Sequence, residues 1–358
     1  MKVAFITRST LFTVRGGDTF QVTETAKHLG EIGITADIFL TNQYIDYSMY
    51  DALHFFNIIR PADILYHIKK SNTPFVLSTI LINYSESDRF YRTGIFGFLS
   101  RYLSADQIEY LKTIARFIKR KDKIRSVSYL WQGQKRSITE ILNKASMLFP
   151  NSKMEYDALV KYYNCDTSYT VIPNGINSKL FCFDTAIKKD PLLVVCAARI
   201  EGVKNQLNLI KALNNTQYRL LIIGAPAPNQ LFYYKECKKI AASNITFIEQ
   251  LEQHALLNYY NKASVHVLPS WFETCGLSSL EAAAMGCNIV ITNKGYTSEY
   301  YESYAFYCDP SSTESIFSAI DNAAKAGIPD KLRQKILSQY TWQHAAERIA
   351  SSYYNLIS

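Results

Sequence analysis

No run in this 358-residue chain comes near the ~20 consecutive apolar residues of a helical membrane span, so none is expected. The apolar start, Met1-Lys2-Val3-Ala4-Phe5-Ile6-Thr7, is too short for a secretory leader and reads as a first strand. Paired cysteine spacing is missing as well. The seven cysteines (165, 182, 196, 237, 275, 287 and 308) are odd in number and scattered without a CxxC, which argues against both a disulfide framework and a zinc site. A reducing cytoplasm is the simplest expectation. With 48% hydrophobic and 20% charged residues, the composition lacks the bias of disordered chains and describes a soluble globular protein.

Aromatics, by contrast, are plentiful, 26 Tyr among them, and the length suits two domains better than one core. The first strand leads through a polar loop ending in Arg15-Gly16-Gly17-Asp18-Thr19 into a helical pattern over 20–32, where Val22, Ala26 and Leu29 share a face and Gly33 ends the element. Strand, Gly-Gly loop and helix open a doubly wound domain. Taken alone, the glycine pair is a weak signal and reads first as an ordinary tight turn. Further strands are expected at 36–40, 64–66, 75–78 and 147–149, and another at 170–176 ending in the turn Pro173-Asn174-Gly175. Residues 177–190 read as an irregular linker. A second strand and helix series follows, with strands at 192–196, 219–223, 245–248, 265–268 and 288–291. Two doubly wound halves joined by one linker imply a cleft between them.

The net charge of +8 is unevenly placed. Between 110 and 125, Lys112, Arg116, Lys119, Arg120, Lys121, Lys123 and Arg125 face a single acid, Asp122. Ile108, Leu111, Ile114, Ala115 and Ile118 form an apolar stripe beside them, which makes a basic amphipathic helix. With the apolar-aromatic run at 95–99, this segment suits an anionic membrane surface, and equally a solvated helix packed on the first domain. No reading helix or stacking platform accompanies the charge, so nucleic acid is not an expected partner.

The most informative stretch is PSWFETCGLSSLEAAAMG, residues 269–286. A buried strand precedes it, 269–275 read as a loop, and 276–285 as an Ala-rich helix stopped by Gly286. An anion suits such a place, because the unpaired N–H groups and positive dipole end of the helix converge there. Arg199 and Lys204, five residues apart after the strand at 192–196, can converge on one diphosphate. An isolated pair of that spacing is otherwise an ordinary solvated loop.

In combination, Gly16-Gly17, Pro173-Asn174-Gly175, Arg199 with Lys204, and Glu273 with Glu281 in the frame FETCGLSSLEAAAMG resemble the retaining glycosyltransferases of family 4. The resemblance spans nearly the whole chain and is strongest over 171–310, where Cys308-Asp309-Pro310 also fits. It implies the GT-B fold: two doubly wound Rossmann-like α/β domains facing a cleft, with a C-terminal helix crossing back to the first. The expected divisions are an acceptor-binding domain over 1–176 with 341–358 packed against it, the linker 177–190, and a nucleotide-sugar-binding domain over 191–340. By the same resemblance, Arg199 and Lys204 neutralise the donor diphosphate, Gly276 and Leu277 offer it backbone N–H groups, Glu281 binds ribose, Glu273 contacts the donor sugar, and Gly16-Gly17 lets the backbone approach that sugar. Arg199, Lys204 and Glu273 are the expected catalytic set. No metal, resident cofactor or protein nucleophile is implied, since the departing phosphate itself helps to deprotonate the acceptor.

The implied activity is transfer of a hexose from a UDP- or GDP-sugar to a glycan or lipid-linked acceptor in bacterial surface polysaccharide synthesis. The implied location is cytoplasmic, including the inner face of the membrane through 108–125. Two alternatives remain, a nucleotide-sugar-binding protein without catalysis and a GT-B-type sugar-nucleotide epimerase. The first is motivated by a departure from the family pattern: no His occurs between His67 and His254, where many relatives carry one near position 80. Thr79, Asn83 and Tyr84 are the candidate substitutes. Other departures are Asn177 in place of an Asp, Cys275 in place of a Phe and expected to serve packing, and Lys294-Gly295-Tyr296-Thr297-Ser298-Glu299 in place of a Gly-Gly segment.

Overall fold

The computed structural model describes residues 1–83, 86, 102–118 and 123–357. Tyr84, the run at 95–99 and Lys119, Arg120, Lys121 and Asp122 lie outside the described residues. The chain divides into two compact units, one made of Met1–Ser85, Arg92–Asn174 and Trp342–Ser358, the other of Glu86–Tyr91 and Gly175–Thr341.

In the first unit, β1 (Lys2–Thr7) is followed by α1 (Gly17–Glu31), β2 (Thr35–Leu40), β3 (Ala52–Phe56), α2 (Pro61–Ile68) and β4 (Phe75–Ser78). Then come α3 (Ala105–Ile118), α4 (Val127–Lys144), β5 (Met147–Phe149) and α5 (Lys153–Tyr163). The sheet has the order β2-β1-β3-β4-β5 and every pairing is parallel. Parallel strands buried on both faces read as continuous apolar runs, which is why Val3, Ala4, Phe5 and Ile6 are all in the core.

Two expectations fail here. Residues 64–66 are not a strand but the middle of α2, where Pro61 occupies the start of the helix and removes an N–H that would have no acceptor anyway. The third strand is instead 52–56, an apolar segment interrupted by His54. Residues 170–176 form no ladder: Ile176 makes a single bridge to Thr341, and Tyr169, just before the segment, makes another to Leu148.

The second unit runs β6 (Asp190–Ala197), α6 (Gln206–Leu213), β7 (Arg219–Ile223), α7 (Leu231–Ile240), β8 (Ile245–Ile248), α8 (Gln253–Lys262) and β9 (Ala263–Leu268). It continues with α9 (Leu277–Ala284), β10 (Asn288–Thr292), α10 (Thr297–Tyr301), β11 (Phe306–Cys308), α11 (Thr313–Lys325) and α12 (Asp330–Gln339). Its six parallel strands lie in the order β11-β10-β9-β6-β7-β8. Alternate residues of β6 feed two separate cores: Val194 and Cys196 pack with Leu209, Ile210 and Ile320, while Val195 and Ala197 pack with Leu280 and Ala283. That two-sided burial is the doubly wound arrangement.

Residues 177–190 lie within this unit. Phe181 is buried in its core, and Lys189 Nζ donates to the carbonyls of Tyr260 and Met285 at 2.6 Å each, meeting the C-terminal ends of α8 and α9. The chain then returns to the first unit with α13 (Trp342–Ile357), which packs on α1. There the Tyr353 hydroxyl lies 2.6 Å from His54 Nδ1, and the Ser78 hydroxyl 2.8 Å from His54 Nε2.

Candidate functional site

In an open parallel sheet, ligands meet the chain beyond the carboxyl ends of the strands, where the strand order reverses. In the second unit that point lies between β6 and β9. The loops leaving these strands are laced together by the backbone and one buried side chain. Trp271 N–H donates to the Val203 carbonyl at 2.8 Å. Asn205, left-handed at φ +60 and fully buried, donates through Nδ2 to the carbonyls of Pro269 at 3.0 Å and Pro310 at 2.8 Å.

This lacing brings Lys204 to Glu273. Lys204 Nζ lies 2.6 Å from Glu273 Oε2, which also accepts from the Ser270 hydroxyl at 3.1 Å. The Lys204 side chain is 22% exposed and that of Glu273 only 9%. Burial acts to lower the Lys204 pKa, but the adjoining Glu273 carboxylate outweighs it and holds the ammonium above its ordinary value. Arg199 is paired separately, its Nε and NH2 donating to Glu201 Oε1 at 3.1 and 2.8 Å.

The Glu273 backbone is fixed by the loop after β10. Its N–H donates to the Lys294 carbonyl at 3.2 Å, and its carbonyl accepts from Tyr296 N–H at 3.0 Å. Between those residues Gly295 has φ +98, and a Cβ there would stand 2.0 Å from the Glu273 carbonyl oxygen. Only glycine fits so close to another backbone. Gly276 caps α9 at φ +68, and helical geometry leaves the first N–H groups of α9 without intrahelical acceptors. One turn further on, Glu281 is buried, and its Oε1 accepts from Gln253 Nε2 at 2.7 Å. Burial pushes its carboxyl pKa up to about 7, with the Gln253 bond opposing. Lys204, Glu273, a helix N-terminus and a buried carboxyl whose ionisation is disfavoured thus share one end of one sheet.

Residues 178–340 match the family model described as Glycosyl transferases group 1. They form a group 1 glycosyl transferase domain. A D-inositol 3-phosphate glycosyltransferase from Stackebrandtia nassauensis is 23% identical over 246 residues, 60% of this chain and 55% of that protein. This chain spans about half the length of the curated relatives it matches. Among solved structures, a sucrose-phosphate synthase from Thermosynechococcus elongatus aligns over 99% of both chains with a TM-score of 0.76 at 16% identity. HepE from Anabaena in complex with UDP and glucose aligns over 99% of this chain and 100% of its own, with a TM-score of 0.70 at 15% identity. The two Rossmann-like units are those of the GT-B fold.

Six of the eight residues singled out in the sequence, Arg199, Lys204, Glu273, Gly276, Leu277 and Glu281, lie in the group 1 domain, on loops and helix starts after β6 and β9. Gly16 and Gly17 lie in the first unit, at the start of α1. Gly16 has φ −152, extended backbone that any residue adopts, so neither a turn nor a left-handed conformation calls for glycine there. The loop before it is braced by Arg8, whose guanidinium meets both Asp18 carboxylate oxygens at 2.6 and 3.0 Å and donates to the Thr10 and Val14 carbonyls.

Cys275 is buried in the group 1 domain core. Thr79 is buried too, its hydroxyl donating to Glu155. Sequence reasoning passed over Asn205, Ser270 and Gln253, which hold the charged residues in place. Gly295 carried the one visible signal, a glycine in the loop that departs from the family pattern.

Proposed function

We propose that this protein is a retaining glycosyltransferase, moving a hexose from a nucleotide-sugar donor, UDP- or GDP-linked, to a glycan or lipid-linked acceptor. The reading rests above all on the Lys204–Glu273 pair set beside the start of α9 with Glu281 one turn on. Its support from relatives is the UDP and glucose bound by HepE and the transferase name of the inositol phosphate relative.

In this scheme Lys204, Arg199 and the Gly276 and Leu277 N–H groups meet the donor diphosphate, Glu281 takes the ribose hydroxyls and Glu273 the sugar hydroxyls. The bond from the sugar C1 to the phosphate oxygen breaks as the acceptor oxygen bonds C1 from the same face. The acceptor proton passes to the departing phosphate. Negative charge on that phosphate is greatest as the sugar leaves, so the two cations act most strongly there. No metal is assigned a role, and the setting we favour is cytoplasmic synthesis of a bacterial surface polysaccharide.

The test is thermal stabilisation by a panel of UDP-, GDP- and ADP-sugars, followed by nucleotide release on adding glycan and polyprenyl-phosphate-linked acceptors. Stabilisation by one donor with acceptor-dependent release is expected. Stabilisation without release returns the protein to a binding role, and no stabilisation by any donor refutes the assignment.

Attachment to an anionic membrane is part of the same reading, on altered grounds. Ile108 of the α3 stripe is buried and Leu111 and Ile114 are half-buried, so most of that stripe serves the fold. Trp131, 87% exposed, and the exposed Ile118 and Val127 lie instead near the cations Lys123 and Arg125 in the chain. Salt-sensitive pelleting with phosphatidylglycerol vesicles, lost in Trp131→Ala with Lys123→Ala, is expected. Equal pelleting of variant and parent counts against it.

A further inference from the structure

Glu155, on the first turn of α5, is completely buried and accepts four hydrogen bonds within the first unit. Its Oε1 takes the Thr79 hydroxyl and the Leu81 N–H, the latter at 2.9 Å. Its Oε2 takes the Asn151 N–H at 3.0 Å and Asn151 Nδ2 at 3.1 Å. Asn151 Oδ1 in turn accepts from Gln21 Nε2 of α1 at 3.1 Å. One carboxylate therefore ties the loops at the carboxyl ends of β4 and β5 to each other, and through Asn151 to the helix that follows β1.

Between the two residues bound to Oε1 stands Ile80, with φ +46. A β-branched side chain rarely adopts that left-handed region, and such strain persists only where the surroundings over-determine it, commonly beside functional sites. Here the surroundings are explicit. Thr79 and Leu81 are both gripped by Glu155, the Thr79 N–H reaches the Phe149 carbonyl at 3.3 Å, and the Thr79 carbonyl takes the Ile58 N–H at 2.9 Å. Four converging donors require an acceptor-only carboxylate. An amide in its place turns an NH2 towards either the Leu81 or the Asn151 backbone N–H, whichever way it is set.

We propose that Glu155 is a positioning residue, holding the 79–83 loop in the strained shape in which the first unit meets its acceptor. This rests on the transferase reading above. The test compares full-length Thr79→Val, Thr79→Ser, Glu155→Gln and, as a control for lost stability, the core variant Leu142→Ala. It measures amide exchange of the 79–83 backbone by mass spectrometry, thermal midpoint, and turnover of the donor found in the panel.

Thr79→Val and Glu155→Gln are expected to speed exchange at Leu81 by about tenfold or more. They should lower kcat by about 100-fold with donor KM unchanged. Thr79→Ser keeps the hydroxyl and should behave as wild type, while Leu142→Ala should lose midpoint without losing kcat. Unaltered exchange at Leu81, or an equal kcat loss in Leu142→Ala, overturns the proposal. If wild type turns over no donor, the transferase reading fails on its own, and the exchange data still decide whether Glu155 holds the loop.

Discussion

Replacing Lys204 by Met removes the ammonium but keeps most of the aliphatic stem. Glu273 is then left nearly buried on a single neutral donor, the Ser270 hydroxyl at 3.1 Å. Breaking a fully buried ion pair costs roughly 3–5 kcal/mol, chiefly because the surviving charge loses its partner. Lys204 is 22% exposed, so water reaches the gap and the expected loss is smaller, about 1–3 kcal/mol by urea unfolding. Adding Glu273→Gln removes the stranded charge, so the double variant should recover about 1–2 kcal/mol of that loss. Turnover behaves differently. Lys204→Met should lose roughly 100- to 1000-fold in kcat, and the double variant should recover none of it, because the cation that meets the departing diphosphate is still missing. Unfolding of Lys204→Met at the wild-type urea midpoint would show that the pair contributes nothing to stability. Restored turnover in the double variant would show that Lys204 serves Glu273 alone and not the diphosphate.

Two further outcomes are expected from the same site. Gly295→Ala puts a Cβ 2.0 Å from the Glu273 carbonyl oxygen at a φ of +98, so one of the two backbones must move; a loss of about 3 kcal/mol in unfolding free energy with weakened donor binding is expected, and a wild-type thermal midpoint would refute the contact. Glu281 supplies a pH test. With its folded pKa raised to about 7 from 4.5, ionising it disfavours the ligand-free fold, so stability is lost as pH rises through that window, by about 3 kcal/mol at most. Glu281→Gln should abolish that loss and be the more stable form at pH 8. On the proposed reading ribose hydroxyls favour the ionised carboxylate, so affinity for the donor found in the panel should fall roughly tenfold per pH unit below about 7 and level off above it. Isothermal titration that finds the same affinity from pH 5.5 to 8 would remove Glu281 from the ribose.

What could be read in advance follows the range over which each signal acts. The 269–286 stretch was legible because its strand, loop, N-cap glycine and helix are all local, and Gly276 at φ +68 is a backbone demand written in one residue. The assignment of 64–66 failed for a local reason, since a three-residue apolar run has no period and Pro61 sets a helix. β3 escaped for the opposite reason. His54 interrupts its apolar run, yet the imidazole is satisfied by Ser78 and by Tyr353, 299 positions away. A polar group made acceptable by so distant a partner leaves no trace in its own window. Residues 177–190 looked like a linker because their apolar anchor, Phe181, is single, and the carbonyls that receive Lys189 belong to helix ends far along the chain.

The cations of the site show most clearly what spacing alone leaves undecided. Arg199 and Lys204 were expected to face one diphosphate together, and in the structure each is held by its own carboxylate, Glu201 and Glu273. Two positive and two negative charges make that cluster formally neutral. A buried ammonium without a partner would tend to lose its proton, whereas Lys204 paired with Glu273 keeps its charge ready. On the proposed reading, an incoming diphosphate does not fill a bare cationic pocket but takes over pairings that already exist, so little reorganisation remains when charge develops on the leaving group. The carboxylates released in that exchange are not idle. On that reading Glu273, freed on one side, would keep the Ser270 hydroxyl and gain lone pairs for the sugar hydroxyls, coupling binding of the diphosphate to recognition of the sugar through a single 2.6 Å contact.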